Sequence, residues 1–500
     1  MFKSFGLIKA ILLVFLASAC TMVIELIAGR ILAPYIGVSL YTWTSIIGVV
    51  LAGISLGNFL GGRFGDRFTS PRLLGAIFFA GAILSLSILP LTLFIKTSPL
   101  PAGFHIMGRA TIYTFVLFFL PTTVLGMVTP IVIKLILKDL GKTANVVGTI
   151  YAISCLGSIV GTFLTGFFLI SWFGTRTIVW EVSGVLFLMA LACGGFWKNK
   201  VSTGLMLACL IIFTSMFYFR DTFQANYLRE SNYYTINIYD GQVQSRQVKV
   251  LALDHLIHTY IDPNDPTFHG YDYEKTFAGV AAYVAGDTGN LRALCIGGGG
   301  YAFSRYLEAA YPKSSVEVLE IDPAVTEVAY TYLGLPKTSR IVTHNRDARI
   351  FLIDNQSGEK YDLVVGDAFN DTSVPYHLTT LEFDRKISSI LQPDGFYIVN
   401  LIDNLKEGRF ARSFMKTLGQ TFKQVYLFRP GSDIGGGNST YVVMATNGSF
   451  SPAELLNKDG LRGSLMTLDD IEKAIGKTDS VVLTDDYVPV DNMIAPLFAR

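Results

Sequence analysis

The stretch that decides the fold is Leu291–Gly300, LRALCIGGGG, in which an apolar run ends abruptly in four glycines. A segment with helical spacing comes next, over Tyr301–Tyr311. A strand, a glycine turn and a helix open the βαβ unit that binds nucleotides, because only glycine lets the backbone approach a ligand closely. A glycine run alone is also typical of an ordinary tight turn, so the interpretation depends on the residues downstream of the helix.

Four further apolar runs lie downstream at intervals expected of a parallel sheet: Val316–Ile321, Ile341–Thr343, Tyr361–Val365 and Phe396–Leu401. Glu320 lies at the end of the first run, Asp347 follows the second and Asp367 follows the third. The carboxyl ends of parallel strands meet at one edge of the sheet, where ligands bind. The pattern therefore predicts an α/β Rossmann-like domain with a ligand site at this edge. An acid at the end of the second strand normally holds the two ribose hydroxyls of a nucleotide.

The succession CIGGGG, VLEID, RDAR, YDLVVGDAF and LQPDGFYIVNL, within residues 232–447, resembles the spermidine synthase (polyamine aminopropyltransferase) family. The resemblance implies an α/β Rossmann-like fold of the S-adenosylmethionine-methyltransferase type. It also implies decarboxylated S-adenosylmethionine, or S-adenosylmethionine itself, as donor. It implies that Glu320 holds the ribose, that Asp347 contacts the adenine and that Asp367, as catalytic residue, takes a proton from the attacking amine. It further assigns donor binding to Gly297, Gly298, Gly299, Ala348 and Pro375, and substrate binding to His258, Tyr273, Glu274 and Asp371.

The chain departs from the family pattern in its amine-specific part. The family usually carries an acid at the position of Gly300, where it contacts the amino group of the small substrate or donor. His258 stands where the family has a glutamine. Asp371 and Pro375 each lie one residue later than usual after Asp367, which a single inserted residue would explain. The nucleoside site is therefore expected to be intact, whereas the acceptor is not identified.

The composition indicates a membrane domain in front of this core. Hydrophobic residues make up 51% of the 500, charged residues only 16%, and the mean hydropathy is +0.44, which is too apolar for a soluble protein. Runs long enough to span a bilayer predict about seven helices, near 8–29, 40–62, 73–95, 109–137, 145–172, 177–196 and 202–219. We therefore expect a multi-pass α-helical membrane domain over 1–219, a linker and β-hairpin region over 220–290, and the Rossmann-like domain over 291–500.

The segments that flank the nucleotide core have simpler patterns. Alternation over Tyr233–Tyr239 and Gln247–Leu253, with a turn at Asp240-Gly241, predicts a β-hairpin. The remaining predictions are a helix over Tyr273–Val284, closing strands at Gln424–Phe428 and Thr440–Thr446, a mobile glycine-rich segment at Gly431–Asn438, and helical structure over 449–480. Leu483–Tyr487 is predicted to be an acidic surface turn, with a segment that folds back toward the site as the alternative.

The net charge and the cysteine content of the chain argue against some classes of binding partner. A formal net charge of +1 argues against a nucleic-acid partner that binds through bulk positive charge. The five cysteines have no spacing that suits a metal, so no metal is expected. The chain has no Walker-type glycine-lysine loop, which argues against hydrolysis of nucleoside triphosphates. The expected partners are a small-molecule amine or lipid acceptor and the lipid bilayer, and a homodimer is left open.

Three functions from different classes are compatible with these features. The first is a membrane-anchored aminopropyltransferase that uses decarboxylated S-adenosylmethionine. The second is a methyltransferase that uses S-adenosylmethionine on a lipid or membrane-presented substrate, which Gly300 favours. The third is a carrier whose nucleotide-binding domain senses polyamine or nucleoside, although its helices offer few intramembrane carboxylates beyond Glu25 and Glu181.

The side of the membrane on which residues 220–500 lie depends on the helix count. Ten lysine and arginine residues lie on the amino-terminal side of the predicted helices, and four lie in the short loops on the other side. Because positive residues concentrate on the cytoplasmic side of a membrane, this count places the amino terminus in the cytoplasm. With seven helices, the carboxy-terminal domain then lies outside. The cytosolic origin of the donor argues for the opposite side. One miscounted helix reverses the result, and the long fourth segment with Pro121 and Pro130 is where a miscount is expected.

Overall fold

The structure is a computed structural model that describes residues 6–68, 70–101, 104–137, 143–194, 227–254, 256–354, 358–368, 374–430, 439–456 and 463–498. The chain divides into two compact units, Met1–Gln224 and Ala225–Arg500. The predicted seventh helix at 202–219, the predicted substrate residue Asp371 and the glycine-rich segment Gly431–Asn438 lie outside the described residues.

The described part of the first unit has five helices long and apolar enough to cross a membrane: α1 Leu7–Ile36, α2 Leu40–Arg67, α3 Pro71–Thr97, α4 Ile106–Ile136 and α5 Thr143–Cys193. Helix α5 is broken at Gly174, whose backbone has φ 73° and ψ 160°. The predicted fifth run, 145–172, and the described part of the predicted sixth run, 177–196, form the two arms of this broken helix.

Helix α4 is a single long segment, although its Pro121 and Pro130 made it the place where a miscount was expected. The five residues Phe115–Phe119, just before Pro121, form a π-helical turn. Proline has no N–H to donate and its ring crowds the preceding turn, and a wider turn accommodates both effects. The segment is therefore one helix, as the seven-helix count assumed.

Glycines set how closely the helices of this unit pack. A Cβ atom on Gly57 of α2 would lie 2.1 Å from the carbonyl oxygen of Thr123 in α4. A Cβ atom on Gly161 of α5 would lie 2.6 Å from the carbonyl oxygen of Ala19 in α1. Small residues at such contacts let helix backbones approach in lipid, where packing rather than hydrophobicity drives association. These glycines therefore have a packing role.

The second unit begins with a four-stranded antiparallel sheet in the order β1-β2-β3-β4. Its strands are β1 Tyr227–Glu230, β2 Thr235–Val243, β3 Arg246–Leu253 and β4 Leu256–Ile261. The predicted hairpin exists, but its predicted turn at Asp240-Gly241 is wrong. The turn is Gln244-Ser245, with φ 51° and 65°, while Asp240 and Gly241 pair with Lys249 and Val248 inside the ladder. Register with β3 outweighed the local turn preference of an Asp-Gly pair.

An eight-stranded mixed sheet forms the rest of the second unit, in the order β12-β10-β11-β9-β8-β5-β6-β7. Strands β5 to β9 are mutually parallel, and β10 to β12 add antiparallel strands at one edge. The strands are β5 Arg292–Ile296, β6 Ser315–Leu319, β7 Val342–His344, β8 Tyr361–Gly366, β9 Leu391–Asp403, β10 Gln424–Pro430, β11 Ser439–Thr446 and β12 Gly463–Met466.

Both faces of this sheet are covered. Leu294 and Ile296 of β5 pack in one hydrophobic core, and Ala293 and Cys295 pack in the other, as alternation along a strand requires. The helices of this unit are α6 Asp272–Ala285, α7 Ala302–Ala310, α8 Pro323–Tyr332, α9 Ala348–Asp354, α10 Leu381–Ile390, α11 Phe410–Leu418, α12 Pro452–Leu456, α13 Leu468–Ile475 and α14 Val490–Ile494.

The prediction of helical structure throughout 449–480 is partly wrong. Helices α12 and α13 lie there, but Gly463–Met466 is strand β12, which pairs antiparallel with β10. Four residues are too few to show a period-two pattern in the sequence. The strand exists because β10 offers it an edge.

Candidate active site

The candidate site lies where the order of the parallel strands reverses. Strands β5, β6 and β7 run one way across the sheet, and β8 and β9 continue on the other side of β5. A crevice opens at such a point, outside the carboxyl ends of the two central strands. Gly297 follows β5, and Asp367 follows β8, and the Asp367 N–H donates to the Ile296 carbonyl oxygen at 2.8 Å. The glycine loop and Asp367, the two most specific features of the sequence, are therefore direct neighbours in the structure.

The glycine loop is shaped by its contacts with this edge. Gly297 has φ 96°, and a Cβ atom there would lie 2.3 Å from the Asp367 carbonyl oxygen. A Cβ atom on Gly298 would lie 2.7 Å from Oε2 of Glu320. Both positions exclude any side chain, because the loop backbone packs directly against this edge of the sheet. The loop ends in Tyr301, which has φ 68° and precedes α7.

Glu320 is buried behind this loop and holds it in place. Its Oε2 atom accepts the Gly298 N–H at 2.8 Å, and its Oε1 atom accepts the Asp322 N–H at 2.9 Å. Burial raises the pKa of Glu320 to about 7, against the lowering effect of these backbone donors. Each carboxylate oxygen has a second lone pair for a hydroxyl. The geometry therefore allows the predicted ribose contact and adds a loop-fixing role.

Asp367 is held by two side chains that come from distant parts of the chain. Its Oδ2 atom accepts the Tyr273 hydroxyl at 3.1 Å, and its Oδ1 atom accepts Nδ2 of Asn400 at 2.9 Å. Burial raises the pKa of the Asp367 carboxyl, and the two hydrogen bonds partly oppose that rise. A fixed carboxylate with a raised pKa is suited to accept a proton.

Glu274 is a second buried carboxyl near Asp367. It lies in the first turn of α6, where its Oε2 atom accepts the Tyr271 N–H at 3.2 Å. Burial raises the pKa of Glu274 to about 8, and the charge of Asp367 adds to the rise. A cation bound between these two acids would favour their ionised forms and so offset the cost of their burial.

Both acids line one shared pocket beside the glycine loop. The glycine loop forms one wall, and apolar side chains form much of the remainder. The lining residues are Tyr273, Glu274, Cys295, Gly297, Gly298, Gly299, Ala302, Phe303, Ser304, Val365 and Asp367.

The residues predicted to hold the adenine lie further along the same edge. Asp347 follows β7, and its Oδ1 atom accepts the Ile350 N–H at 2.9 Å, at the start of α9. Its Oδ2 atom accepts Nε2 of His377 at 2.8 Å. Ala348 is buried at the first position of α9, and Pro375 precedes the short 3₁₀ turn Tyr376–Leu378. None of these three predicted donor residues lines the pocket that contains Asp367 and Glu274.

His258 lies on β4, away from the lining of that pocket. Its ring centroid is 6.4 Å from that of Tyr234. Burial and then the charges of Glu320, Asp254 and Asp322 raise the pKa of the Tyr234 hydroxyl. Tyr234 is therefore a neighbour of Glu320 that sequence reasoning missed.

The position of Gly300 leaves no room for an acid. Its φ is 73°, and a Cβ atom there would lie 2.8 Å from Cγ2 of Thr259 and 3.1 Å from side-chain carbons of Leu251 and Leu333. An aspartate would need both a strained backbone and displacement of these neighbours. The packing around this position therefore requires glycine in place of the acid that the family usually has there.

Asn400 is the other residue that sequence reasoning missed. It lies near the end of β9, and a polar residue at the end of an apolar strand is the signal that singled out Asp347 and Asp367. Extending that rule to amide side chains would have found it. No group of three or more histidine, cysteine, aspartate or glutamate side chains suited to a metal ion occurs in the described ranges.

The described site corresponds to a known family. Residues 270–430 match the family model of the spermine/spermidine synthase domain. This match contains Tyr273, the glycine loop, Glu320, Asp367 and Asn400.

Individual relatives match parts of the chain. The chain is 31% identical over 148 residues to the polyamine aminopropyltransferase of Vibrio vulnificus, which covers 29% of this chain and 48% of that protein. It is 25% identical over 230 residues to the probable polyamine aminopropyl transferase of Bifidobacterium longum, covering 42% and 50%. The chain thus spans about half the length of these two relatives.

The chain is also similar in sequence to a methyltransferase and in structure to a solved protein. The human eEF1A lysine and N-terminal methyltransferase is 28% identical over 122 residues, which covers 22% of this chain and 18% of that protein. Among solved structures, the probable spermidine synthase of Corynebacterium glutamicum aligns with a TM-score of 0.45 at 20% identity, covering 52% of this chain and 96% of that chain.

Proposed function

We propose that this chain, which belongs to the spermine/spermidine synthase family through residues 270–430, is an aminopropyltransferase. The proposed donor is decarboxylated S-adenosylmethionine, and the proposed acceptor is an amine. One observation carries the proposal: two side-chain donors hold the Asp367 carboxylate beside the glycine loop, in an open pocket.

The donor's nucleoside would lie along the carboxyl edge of β5, β6 and β7. Gly297 and Gly298 leave the loop backbone free of side chains there. Glu320 would accept the ribose hydroxyls, and Asp347 would accept a hydrogen bond from the adenine amino group. The donor's reactive carbon would then lie in the pocket that Asp367 lines.

The chemical step needs an uncharged amine, which is protonated in water because its pKa is about 10. Asp367 would accept that proton and then stabilise the developing ammonium. The amine nitrogen forms a bond to the aminopropyl carbon next to sulfur. The carbon–sulfur bond breaks, and its electron pair stays on sulfur, which leaves a neutral thioether. Tyr273 and Asn400 keep the carboxylate oriented during this exchange.

The acceptor would be recognised as a cation. Glu274 and Asp367 are both buried acids with raised pKa values, and an ammonium between them favours their ionised forms. Phe303, Ala302 and Val365 line the same pocket and suit a methylene chain. Asp371, which the family resemblance also assigns to the acceptor, stays a prediction.

A methyltransferase is the second candidate, and two observations favour it. The neighbours of Gly300 exclude the acid that contacts the amino group in aminopropyltransferases. The match to the human methyltransferase covers 22% of this chain. In this case S-adenosylmethionine would be the donor and a lipid or membrane-presented group the acceptor. The carrier hypothesis also stays a prediction.

The mass of the product separates the two enzymatic candidates. Full-length protein in detergent is incubated with either donor and a panel of diamines, polyamines and amine-bearing lipids. We expect decarboxylated S-adenosylmethionine to be consumed, and an amine to gain one aminopropyl group. Gain of a methyl group from S-adenosylmethionine instead would replace the proposed reaction with the second candidate.

We further propose that the unit Met1–Gln224 anchors the protein in the cell membrane, with the amino terminus in the cytoplasm. The five long apolar helices support anchoring, and the ten-to-four charge bias supports the orientation. Seven crossings would place Arg500 outside. We expect a phosphatase fused at Arg500 to be active, and fluorescence from a cytosol-only reporter at that position would contradict this orientation.

A further inference from the structure

The turn Leu483–Tyr487, for which an acidic surface turn and a segment folded back toward the site were the two alternatives, is tied into the second unit by hydrogen bonds. Its ends exchange backbone hydrogen bonds, from Thr484 N–H to Tyr487 O at 3.1 Å and from Tyr487 N–H to Thr484 O at 3.0 Å. Leu483 is fully buried, and its carbonyl oxygen accepts the Leu381 N–H at 2.9 Å. The turn is therefore fastened to the start of α10.

Asp485 at the tip of this turn makes a two-pronged ion pair with Arg349 of α9. Its Oδ1 atom accepts Nη1 of Arg349 at 2.8 Å, and its Oδ2 atom accepts Nη2. Its Oδ1 atom also accepts the Thr380 hydroxyl at 2.8 Å. The hydrogen bonds from Arg349 hold the pKa of Asp485 below its usual value. A bidentate guanidinium pair fixes direction as well as charge.

Arg349 is also connected, through His377, to Asp347, the carboxylate predicted to bind adenine. The same Nη1 atom donates to the carbonyl oxygen of His377 at 3.0 Å. The imidazole of His377 donates through Nε2 to Oδ2 of Asp347 at 2.8 Å. Two side chains, Arg349 and His377, therefore link Asp485 to Asp347, which is 138 residues earlier in the chain.

We propose that the turn Leu483–Tyr487 completes the purine end of the donor site, with Asp485, Arg349 and His377 as positioning residues for Asp347. The inference rests on the proposed function, in which Asp347 binds adenine. Asp347 keeps one oxygen on α9 and one on His377. The direction in which its remaining lone pairs point therefore depends on where Arg349 holds the His377 backbone.

The chain offers a matched control on the same helix. Arg346 precedes α9 and Asp354 is its last residue, and the two form an ion pair whose side chains are 47% and 52% exposed. Arg349, in contrast, is only 16% exposed. Removing the charge of Asp354 removes one ion pair from α9 and leaves the contacts among Asp485, Arg349 and His377 in place.

The experiment measures binding of two nucleosides to the full-length protein in detergent. Calorimetry compares 5′-methylthioadenosine with 5′-methylthioinosine, which has a carbonyl oxygen where adenine has its amino group. A carboxylate accepts from the amino group and repels the carbonyl, so a well-placed Asp347 discriminates between them. We expect Asp485→Asn to weaken methylthioadenosine binding by roughly three- to tenfold and to reduce its preference over methylthioinosine. Asp354→Asn should change neither.

A merely structural role would lower thermal stability and leave the purine preference intact, which would overturn the proposal. Asp485→Glu keeps the ion pair, and we expect it to retain the preference. Its failure to do so in a folded protein would also count against the proposal. If the wild type binds methylthioadenosine and Asp485→Asn binds it equally well, only this inference fails. If the wild type binds neither nucleoside, the proposed donor site fails with it.

Discussion

Replacing Asp367 with asparagine should lower turnover with an amine acceptor by about 10²- to 10⁴-fold, the usual contribution of a positioned general base. The asparagine oxygen can still accept from Asn400, and its amide can still meet the Tyr273 hydroxyl, so the shape of the site is kept. Donor binding should therefore be nearly unchanged. Steady-state kinetics give the turnover, and calorimetry with methylthioadenosine gives the affinity.

The control for this substitution lies at the other end of the same strand. Asp362→Asn affects a carboxylate that accepts the Arg292 N–H at 2.8 Å, away from the pocket, and it should leave turnover near wild type. Burial raises the pKa of Asp367, so the wild-type rate should fall as the pH drops through that raised pKa. Substantial turnover by Asp367→Asn would mean that Asp367 is structural and that the proposed step has another base.

Replacing Glu320 with glutamine should weaken methylthioadenosine binding by about 1–3 kcal/mol, the cost of losing charge-assisted hydrogen bonds. The geometry adds a second cause. Both Glu320 oxygens accept backbone N–H groups, from Gly298 and Asp322, and an amide can accept with only one atom. The glycine loop should loosen as well, so both the affinity and the rate should fall.

Glu317→Gln is the matched control for this prediction. Glu317 is a buried acid on β6, the strand that Glu320 directly follows. It hydrogen-bonds to Arg292, His344 and Tyr361 and contacts neither the loop nor the pocket. Glu317→Gln should lower stability while leaving nucleoside affinity near wild type. Equal affinities for wild type and Glu320→Gln in calorimetry would remove Glu320 from the donor site.

Much of the candidate site could be predicted because it depends on a local rule. Apolar runs mark strands, and the residue after each parallel strand lies at the shared carboxyl edge. The placement of Gly297, Glu320, Asp347 and Asp367 at this edge is a consequence of that rule alone. The roles of individual residues in binding stay predictions, since the rule places a side chain at the edge without naming its ligand.

Local signals failed where pairing with a distant segment decided the outcome. The Asp240-Gly241 pair has strong turn preference, yet the register of β2 against β3 moved the turn to Gln244-Ser245. Strand β12 exists because β10 has an open edge. Neither the turn at Gln244-Ser245 nor strand β12 can be recognised from the residues of the segment itself. Both depend on pairing and packing with side chains that are far away in the sequence.

By itself, the sequence determined the apolar helices of the first unit and the α/β core of the second, because both depend on the spacing of apolar residues along the chain. Only the tertiary structure decided what surrounds each acid. The Tyr273 hydroxyl and the Asn400 amide meet at Asp367 although they lie 94 and 33 residues away from it, and Arg349 meets Asp485 across 136 residues. Such contacts depend on how whole elements pack, and residue spacing carries no record of that packing.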